Sequence, residues 1–431
     1  MPAILVALTA AAALAVAYLT LARAAGGLAA LVLLALSFRR PVWGLAVICA
    51  LLPVEGIAVS GRGVSEIRLL GMAVFAVWVV HMLVFRKRLR VNSTMLAVVA
   101  LIGWAGVSFL WAGDWEYAGP RYGTLVQLLL LFVMAVNVID REEDLSLVFG
   151  WLLAGALVST ALSISLFITN FFERARAFEA QNPNEYGVAV GLAIIGGIYL
   201  AVRLKNRWLR LLSGLAACYL AFPLLLAQSR TCWLAVAAAL TVFLWHTRRR
   251  LRNLLIVGAA AGVAVAAAFS LGYVNVTLIQ RTSELLNVAS RGSNRSDIWR
   301  VGDTVFLDHP VIGVGFGQFP RVYNRYRYAT HGISRDTFPA RDPHSIYYGV
   351  ATELGLVGLA LLALVFWKAW RREGPQEGSG PWITAVLLVF ILVSGIGINQ
   401  ICDKIYWLVL ALAVRSRELA QEPGGGNREA E

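Results

Sequence analysis

The sequence predicts an all-α, polytopic integral membrane protein: a helical bundle of about 12–14 transmembrane helices with one large, partly helical external loop. Three observations support this fold class. The 431-residue chain is 59% hydrophobic and 15% charged, whereas soluble domains are about a quarter charged. Apolar runs long enough to cross a bilayer recur along the chain, separated by short basic gaps. One long polar segment interrupts this pattern late in the chain.

A spanning helix needs about 20 mostly apolar residues. The candidate runs are residues 3–21, 24–38, 42–57, 67–85, 93–112, 119–139, 145–168, 186–202, 208–227, 232–246, 254–273, 345–367, 382–398 and 406–414. The first run lacks a preceding Lys or Arg and is too long for a signal peptide, so we expect it to be retained. Internal repeats are absent, which argues against a transporter built from duplicated halves.

The apolar runs and gaps predict four parts. Residues 1–274 form an amino-terminal transmembrane bundle, and residues 275–343 form the large loop. Residues 344–414 form the carboxy-terminal transmembrane helices, and residues 415–431, with three consecutive glycines, form a disordered tail.

Basic residues orient the bundle. With the amino terminus in the cytoplasm, the cytoplasmic gaps receive the short basic clusters, as the positive-inside rule requires. These clusters are Arg39 and Arg40; Arg86, Lys87, Arg88 and Arg90; Lys205 and Arg207; Arg248, Arg249, Arg250 and Arg252; and Arg371 and Arg372. Both termini are therefore predicted to be cytoplasmic.

The same alternation places the 275–343 loop outside, and such long connections are usually functional. Its nine arginines are Arg281, Arg291, Arg295, Arg300, Arg321, Arg325, Arg327, Arg335 and Arg341. A guanidinium binds phosphate oxygens two at a time and stays charged at any working pH. This loop therefore favours a phosphate or pyrophosphate at the membrane face, with anionic lipid headgroups as the alternative.

Tyrosine and arginine interleave between residues 321 and 328. In a cytosolic protein this would indicate single-stranded nucleic acid, but outside the cell we expect no nucleic acid partner. Aromatic rings also pack on the apolar faces of sugars, so a glycan fits this segment. The four cysteines form no CxxC pair, and we expect neither a metal site nor a disulfide framework.

Three local motifs lie in and around the loop. They are QSRTCW at residues 228–233, RSDIW at 295–299 followed by HPVIGVGFG at 309–317, and HSIY at 344–347 leading into ELGLVG at 353–358. Over about residues 182–362 the chain resembles the O-antigen ligase and O-antigen polymerase family, bacterial membrane glycosyltransferases that use lipid-linked glycans. Members often have Asn after the motif histidine, whereas this chain has Ser345.

The resemblance implies transfer of a glycan from undecaprenyl diphosphate to an acceptor at the periplasmic face of the bacterial inner membrane. For a ligase in lipopolysaccharide biosynthesis, the acceptor is a lipid A–core sugar. For an O-antigen or exopolysaccharide polymerase it is another glycan repeat, and for a protein O-oligosaccharyltransferase it is a protein hydroxyl. The implied reaction is inverting and needs no metal or other cofactor.

The resemblance also implies roles for three residues. Arg230 and Arg295 match the functional arginines of the family and would stabilise charge on the diphosphate leaving group. His344 would be the general base for the acceptor hydroxyl. We expect Asp342 to be the N-cap of the following helix, whose dipole would keep the imidazole neutral.

Weaker candidates for substrate binding are Arg291, Arg300, Tyr323, Tyr347, Tyr348, Asn182 and Asn184. We expect the tyrosines at 347 and 348 to share a face with His344, and the two asparagines fit helix capping equally well. Glu353 lies in an apolar span, so we expect it to have a polar partner and a structural role. The glycines of residues 313–317 predict a tight turn rather than a nucleotide-binding loop.

Two other classes of protein fit the sequence less well. A transporter or flippase for lipid-linked glycans predicts charges deep along a membrane path, but the predicted spans are nearly free of charge. A non-catalytic scaffold that binds polysaccharide does not explain the three motifs.

Overall fold

The structure, a computed structural model, describes residues 26–54, 66–169, 182–247, 295–330, 341–371 and 382–421. Within these ranges all regular secondary structure is helical, and seven helices are long and apolar enough to cross a membrane. Four shorter apolar helices accompany them. The predicted fold class, a polytopic membrane helical bundle, is confirmed. The number of spans stays a prediction, since the runs at 3–21 and 254–273 lie outside the described residues.

The helices follow the predicted apolar runs closely. In chain order they are α1 (Gly26–Arg39), α2 (Val42–Leu51), α3 (Glu66–Val84), α4 (Ser93–Val107), α5 (Trp115–Val138), α6 (Glu142–Thr169), α7 (Pro183–Arg203), α8 (Arg207–Tyr219), α9 (Ala221–Leu226), α10 (Arg230–His246), α11 (Arg295–Asp308), α12 (Phe319–Ala329), α13 (Ile346–Trp370), α14 (Trp382–Gly397) and α15 (Lys404–Gln421). In the bundle, α10 packs along α14, α2 along α6, and α13 along α4. Helices α11 and α12 belong to the predicted loop, which is therefore partly helical.

The last helix, α15, is enclosed by the bundle and extends past a predicted boundary. The prediction of a disordered tail from residue 415 is wrong for residues 415–421, which are helical. Arg415 is 1% exposed, donates to the carbonyl of Ile139 at 2.9 Å and pairs with Glu418 at 2.7 Å. Arg417 donates to the carbonyl of Arg371 at the end of α13. The last carbonyl groups of a helix have no partner within that helix, and these two arginines donate to such carbonyls. Both arginines therefore hold α15 against neighbouring helices of the bundle.

Helix α13 is broken at Gly355, where φ is +67° and ψ is −161°. The segment that follows α11 fills the break. The N–H of Val314 donates to the carbonyl of Thr352 at 3.0 Å, and the N–H of Leu356 donates to the carbonyl of Pro310 at 2.8 Å. The second and third sequence motifs are therefore paired through their backbones, which satisfies polar groups that the broken helix would leave bare.

Glu353 and the glycine turn complete this junction. The Glu353 carboxylate is 6% exposed and accepts the N–H groups of Gly317 at 2.8 Å and Phe319 at 3.2 Å. A Cβ on Gly313 would lie 2.4 Å from the backbone carbon of Glu353. The predicted tight turn is confirmed, because the turn approaches α13 too closely for a side chain. Glu353 also has the polar partners that we expected.

We expect Gly355→Ala to destabilise the protein. The new Cβ would lie 2.3 Å from the carbonyl oxygen of Val311, and the backbone conformation costs a non-glycine residue about 1–3 kcal/mol before any clash. Thermal unfolding of the detergent-solubilised protein, followed by tryptophan fluorescence, measures the effect. Gly103→Ala is the matched control, because a Cβ on that helical glycine would meet nothing within 4 Å. Equal unfolding temperatures for the two variants would contradict the proposed packing of the break.

Candidate active site

Arg295, the first residue of α11, lies against the start of α10. Its Nη1 donates to Thr231 Oγ1 at 3.4 Å, and Thr231 directly follows Arg230. Gly397, at the end of α14, leaves room for this contact, since a Cβ there would lie 2.9 Å from the same guanidinium nitrogen. The ends of three helices therefore meet around two arginines.

The two guanidinium groups influence each other. Both side chains are half-buried. Burial lowers the pKa of Arg295, and the nearby cation of Arg230 lowers this pKa further. Arginine nevertheless stays protonated at any working pH, so the site keeps two neighbouring positive charges. An anion placed against them would relieve their repulsion.

Helix α11 docks onto the start of α13 through one face. Trp299 Nε1 donates to the carbonyl of Pro343 at 3.1 Å, and the Trp299 ring stacks on Tyr348 with centroids 5.2 Å apart. One turn further along, Gly302 meets the same tyrosine ring. Because Arg295, Trp299 and Gly302 follow the spacing of one helix face, this docking fixes the arginine beside the turn at residue 344.

His344 lies in that turn, and its backbone conformation differs from the one that the predicted helix cap requires. Its φ is +50°, and α13 begins only at Ile346, with Ser345 at the N-cap position. The prediction that Asp342 is the N-cap is wrong. Its carboxylate instead accepts the N–H of His344 at 3.3 Å, because the left-handed turn separates Asp342 from the helix start. Strained non-glycine backbone of this kind is concentrated at functional sites.

The start of α10 repeats this arrangement. Gln228 has φ of +49° and precedes Ser229, the N-cap residue of α10. Neither Ser229 nor Ser345 makes a side-chain cap hydrogen bond to its helix. Helix N-termini attract anions through their first N–H groups. Two such ends, at α10 and α13, therefore add to the positive potential around Arg230 and Arg295.

The imidazole of His344 is half-buried among charged groups. Burial lowers the pKa of His344 below its usual 6.5, the carboxylate of Asp342 opposes this change, and the cations of Arg295 and Arg341 add to it. A neutral imidazole at neutral pH agrees with the expectation from sequence. Burial and the two arginines are causes that the sequence analysis did not include.

Asp342 connects His344 to the bundle, and its partners were missed in the sequence. Arg121 Nη2 donates to Asp342 Oδ1 at 2.9 Å, and Asn399 Nδ2 donates to the same oxygen at 3.2 Å. Arg121 lies within the apolar run predicted at residues 119–139. A charge inside a span is a functional-site signal by default, and it could have identified this residue.

The structure separates the two tyrosines that were expected to share a face with His344. Tyr347 donates its hydroxyl to the carbonyl of Leu392 in α14 at 2.7 Å, whereas Tyr348 stacks on Trp299. That expectation is wrong because the helix begins after His344, which removes the assumed spacing. Both rings hold neighbouring helices in place.

The remaining candidates fall into four groups. Asn182 caps α7 by accepting a hydrogen bond from the N–H of Asn184 at 2.9 Å. The carbonyl of Asn184 accepts a hydrogen bond from the Cys232 thiol, whose Sγ is 3.3 Å away, and this contact places the start of α7 beside α10. Tyr323 is 4% exposed in the apolar contact between α11 and α12, so it packs rather than faces a ligand. Arg300 is exposed on α11. Arg291 lies outside the described residues.

The described ranges contain no group of three or more His, Cys, Asp or Glu side chains that could hold a metal ion. What they do gather is a pair of guanidinium groups, two helix N-termini and an imidazole whose pKa is lowered. The first two features suit an oxygen-rich anion, and the imidazole suits proton transfer.

Fold and site together define a multi-pass helical membrane protein with a cationic site and a histidine at the ends of its helices. Residues 215–363 match the family model described as O-antigen ligase. This part of the chain, which contains Arg230, Arg295 and His344, is similar to the O-antigen ligase family, as the motifs predicted. The match supports a membrane glycosyltransferase-like function with lipid-linked glycans as substrates. No curated protein matches the chain.

Proposed function

We propose that this protein is an O-antigen ligase-like glycosyltransferase. It transfers a glycan from undecaprenyl diphosphate to a lipid A–core sugar at the periplasmic face of the bacterial inner membrane, with both termini in the cytoplasm. The observation that carries the proposal is the position of Arg295, which contacts Thr231 directly after Arg230, while its helix docks through Trp299 onto Pro343 directly before His344.

In this reaction an acceptor hydroxyl oxygen attacks the anomeric carbon of the glycan in a single displacement. The new C–O bond forms as the bond to the diphosphate oxygen breaks, so the anomeric configuration inverts. The electron pair of the broken bond leaves with undecaprenyl diphosphate. Arg230 and Arg295 stabilise this developing charge, the task for which preorganised donors give the largest catalytic contribution.

The hydroxyl proton passes to the imidazole of His344. A base must be unprotonated to act, and burial together with Arg295 and Arg341 holds the pKa of His344 below its usual range. The carboxylate of Asp342 acts in the opposite direction on the pKa of His344 and so keeps the imidazole basic enough to accept the proton. Its bonds to Arg121 and Asn399 keep the carboxylate beside the His344 turn, which makes Asp342 a positioning residue.

We expect Arg341→Gln to move the acid limb of the pH profile of kcat/KM to higher pH. Arg341 lowers the pKa of His344, so removing this cation raises that pKa and protonates the base at a higher pH. The wild-type limb should fall below pH 6.5, the usual histidine value. Rates measured from about pH 4.5 to 8 test this, and an unmoved limb would contradict the assignment of His344 as the titrating base.

A deletion strain tests the function and separates it from two alternatives in the same family. For a ligase, deletion leaves polymer on the lipid carrier and lipid A–core bare, and the wild-type gene restores attachment. For a polymerase, lipid A–core carries single repeats instead. Loss of glycan from proteins alone would identify a protein O-oligosaccharyltransferase. Lipopolysaccharide gels and glycoprotein blots of the same strain distinguish these outcomes.

A further inference from the structure

The end of α11 and the segment that joins it to α12 expose large apolar side chains. Leu307 is 75% exposed, Val311 56% and Ile312 39%. Asp308, His309 and Pro310 lie between them in the chain and are exposed as well. A group of exposed large apolar side chains often marks a site of interaction. Because the backbone of this segment is fixed by hydrogen bonds to α13, its exposed side chains occupy a defined place on the bundle.

That place is the surface of a candidate membrane span. Pro310 and Val311 accept the N–H groups of Leu356 and Val357, directly after the break in α13. Leu356 itself is 53% exposed on this span. The apolar patch of residues 307–312 therefore continues the exposed apolar surface of α13, and the solvent of that surface is lipid.

Polar and aromatic groups lie within the patch and beside it. The Tyr326 hydroxyl lies 3.2 Å from His309 Nε2, and Tyr328 is 57% exposed on α12 beside the exposed Arg325. Apolar residues next to tyrosine and arginine are typical of segments that lie in the bilayer interface, where the polar groups reach the headgroups.

We propose that residues 307–312 form a membrane anchor whose Leu307, Val311 and Ile312 side chains insert among the phospholipid acyl chains of the leaflet nearest His344. Helix α11 has 14 residues, so it spans about 20 Å between this anchor and Arg295 at its other end. The anchor thereby sets the depth at which Arg295 lies relative to the bilayer surface.

Spin labels test the anchor in the full-length protein reconstituted in phospholipid vesicles. Single cysteines replace Val311 and Ile312 in a Cys218→Ala, Cys402→Ala background, and power saturation compares collision with oxygen and with a polar nickel chelate. Leu96→Cys, 61% exposed on α4, is the lipid-facing control, and Lys87→Cys, exposed in the basic gap between α3 and α4, is the water-facing control. The unsubstituted background corrects for labelling of the buried cysteines.

The anchor predicts that labels at 311 and 312 favour oxygen over nickel, with a depth parameter of the same sign as the label at 96. A depth parameter matching the label at 87 would place the segment in water and overturn the proposal. Low collision rates with both reagents would show coverage by protein, including a second copy of this chain, and would overturn it as well. All four positions are exposed, so the substitutions should leave the fold intact.

Discussion

His344→Ala is expected to lower kcat for glycan transfer by about 100- to 10,000-fold, the usual contribution of a general base. The substitution removes the proton acceptor beside Arg295 but leaves the arginines in place. KM for the lipid-linked glycan should therefore change little. Initial rates with purified protein in proteoliposomes measure both constants.

His246→Ala is the matched control, because that histidine is exposed at the opposite end of α10 from Arg230. This variant should keep the wild-type rate. Equal activity of the His344→Ala and His246→Ala proteins would remove His344 from the mechanism, as would equal rescue of a ligase-deficient strain by both.

Arg295→Lys is expected to lower kcat by about 100- to 1,000-fold. This is the usual loss when one hydrogen-bond donor that stabilises transition-state charge is removed. Lysine keeps the charge but loses the planar fork that binds two oxygens at once. It also loses the contact with Thr231 that holds Arg295 at the mouth of α10. The same proteoliposome assay measures the effect.

Arg207→Lys is the control for Arg295→Lys, since Arg207 is likewise the first residue of its helix but is exposed at the start of α8. We expect wild-type kinetics from it. If Arg295→Lys retained full kcat, a positive charge alone would suffice, and bidentate binding of the diphosphate at this position would be refuted.

The membrane fold could be predicted from the sequence because span length and basic gaps are local properties. The break in α13 could not, because it depends on pairing between Pro310 and Leu356, far apart in the chain. The sequence contained the signal for this junction only as glycines, whose positive φ values and close contacts appear once the segments meet.

Much of the candidate site was also visible in the sequence, since Arg230, Arg295 and His344 each stand in a local motif. The partners of Asp342 were not, because Arg121 lies in α5 and Asn399 lies in the connection between α14 and α15. Side-chain direction was equally hidden in the interleaved segment of α12, where one tyrosine is buried and another exposed according to helix register.

The most direct test of the central claim is the Kd of undecaprenyl diphosphate for the reconstituted protein. If Arg230 and Arg295 together hold the diphosphate, the doubly substituted Arg230→Ala, Arg295→Ala protein should bind it about 100-fold more weakly or worse, since charged hydrogen bonds contribute about 1.5–3 kcal/mol each. The His344→Ala protein should keep the wild-type Kd. Equal Kd values for all three proteins would contradict the account.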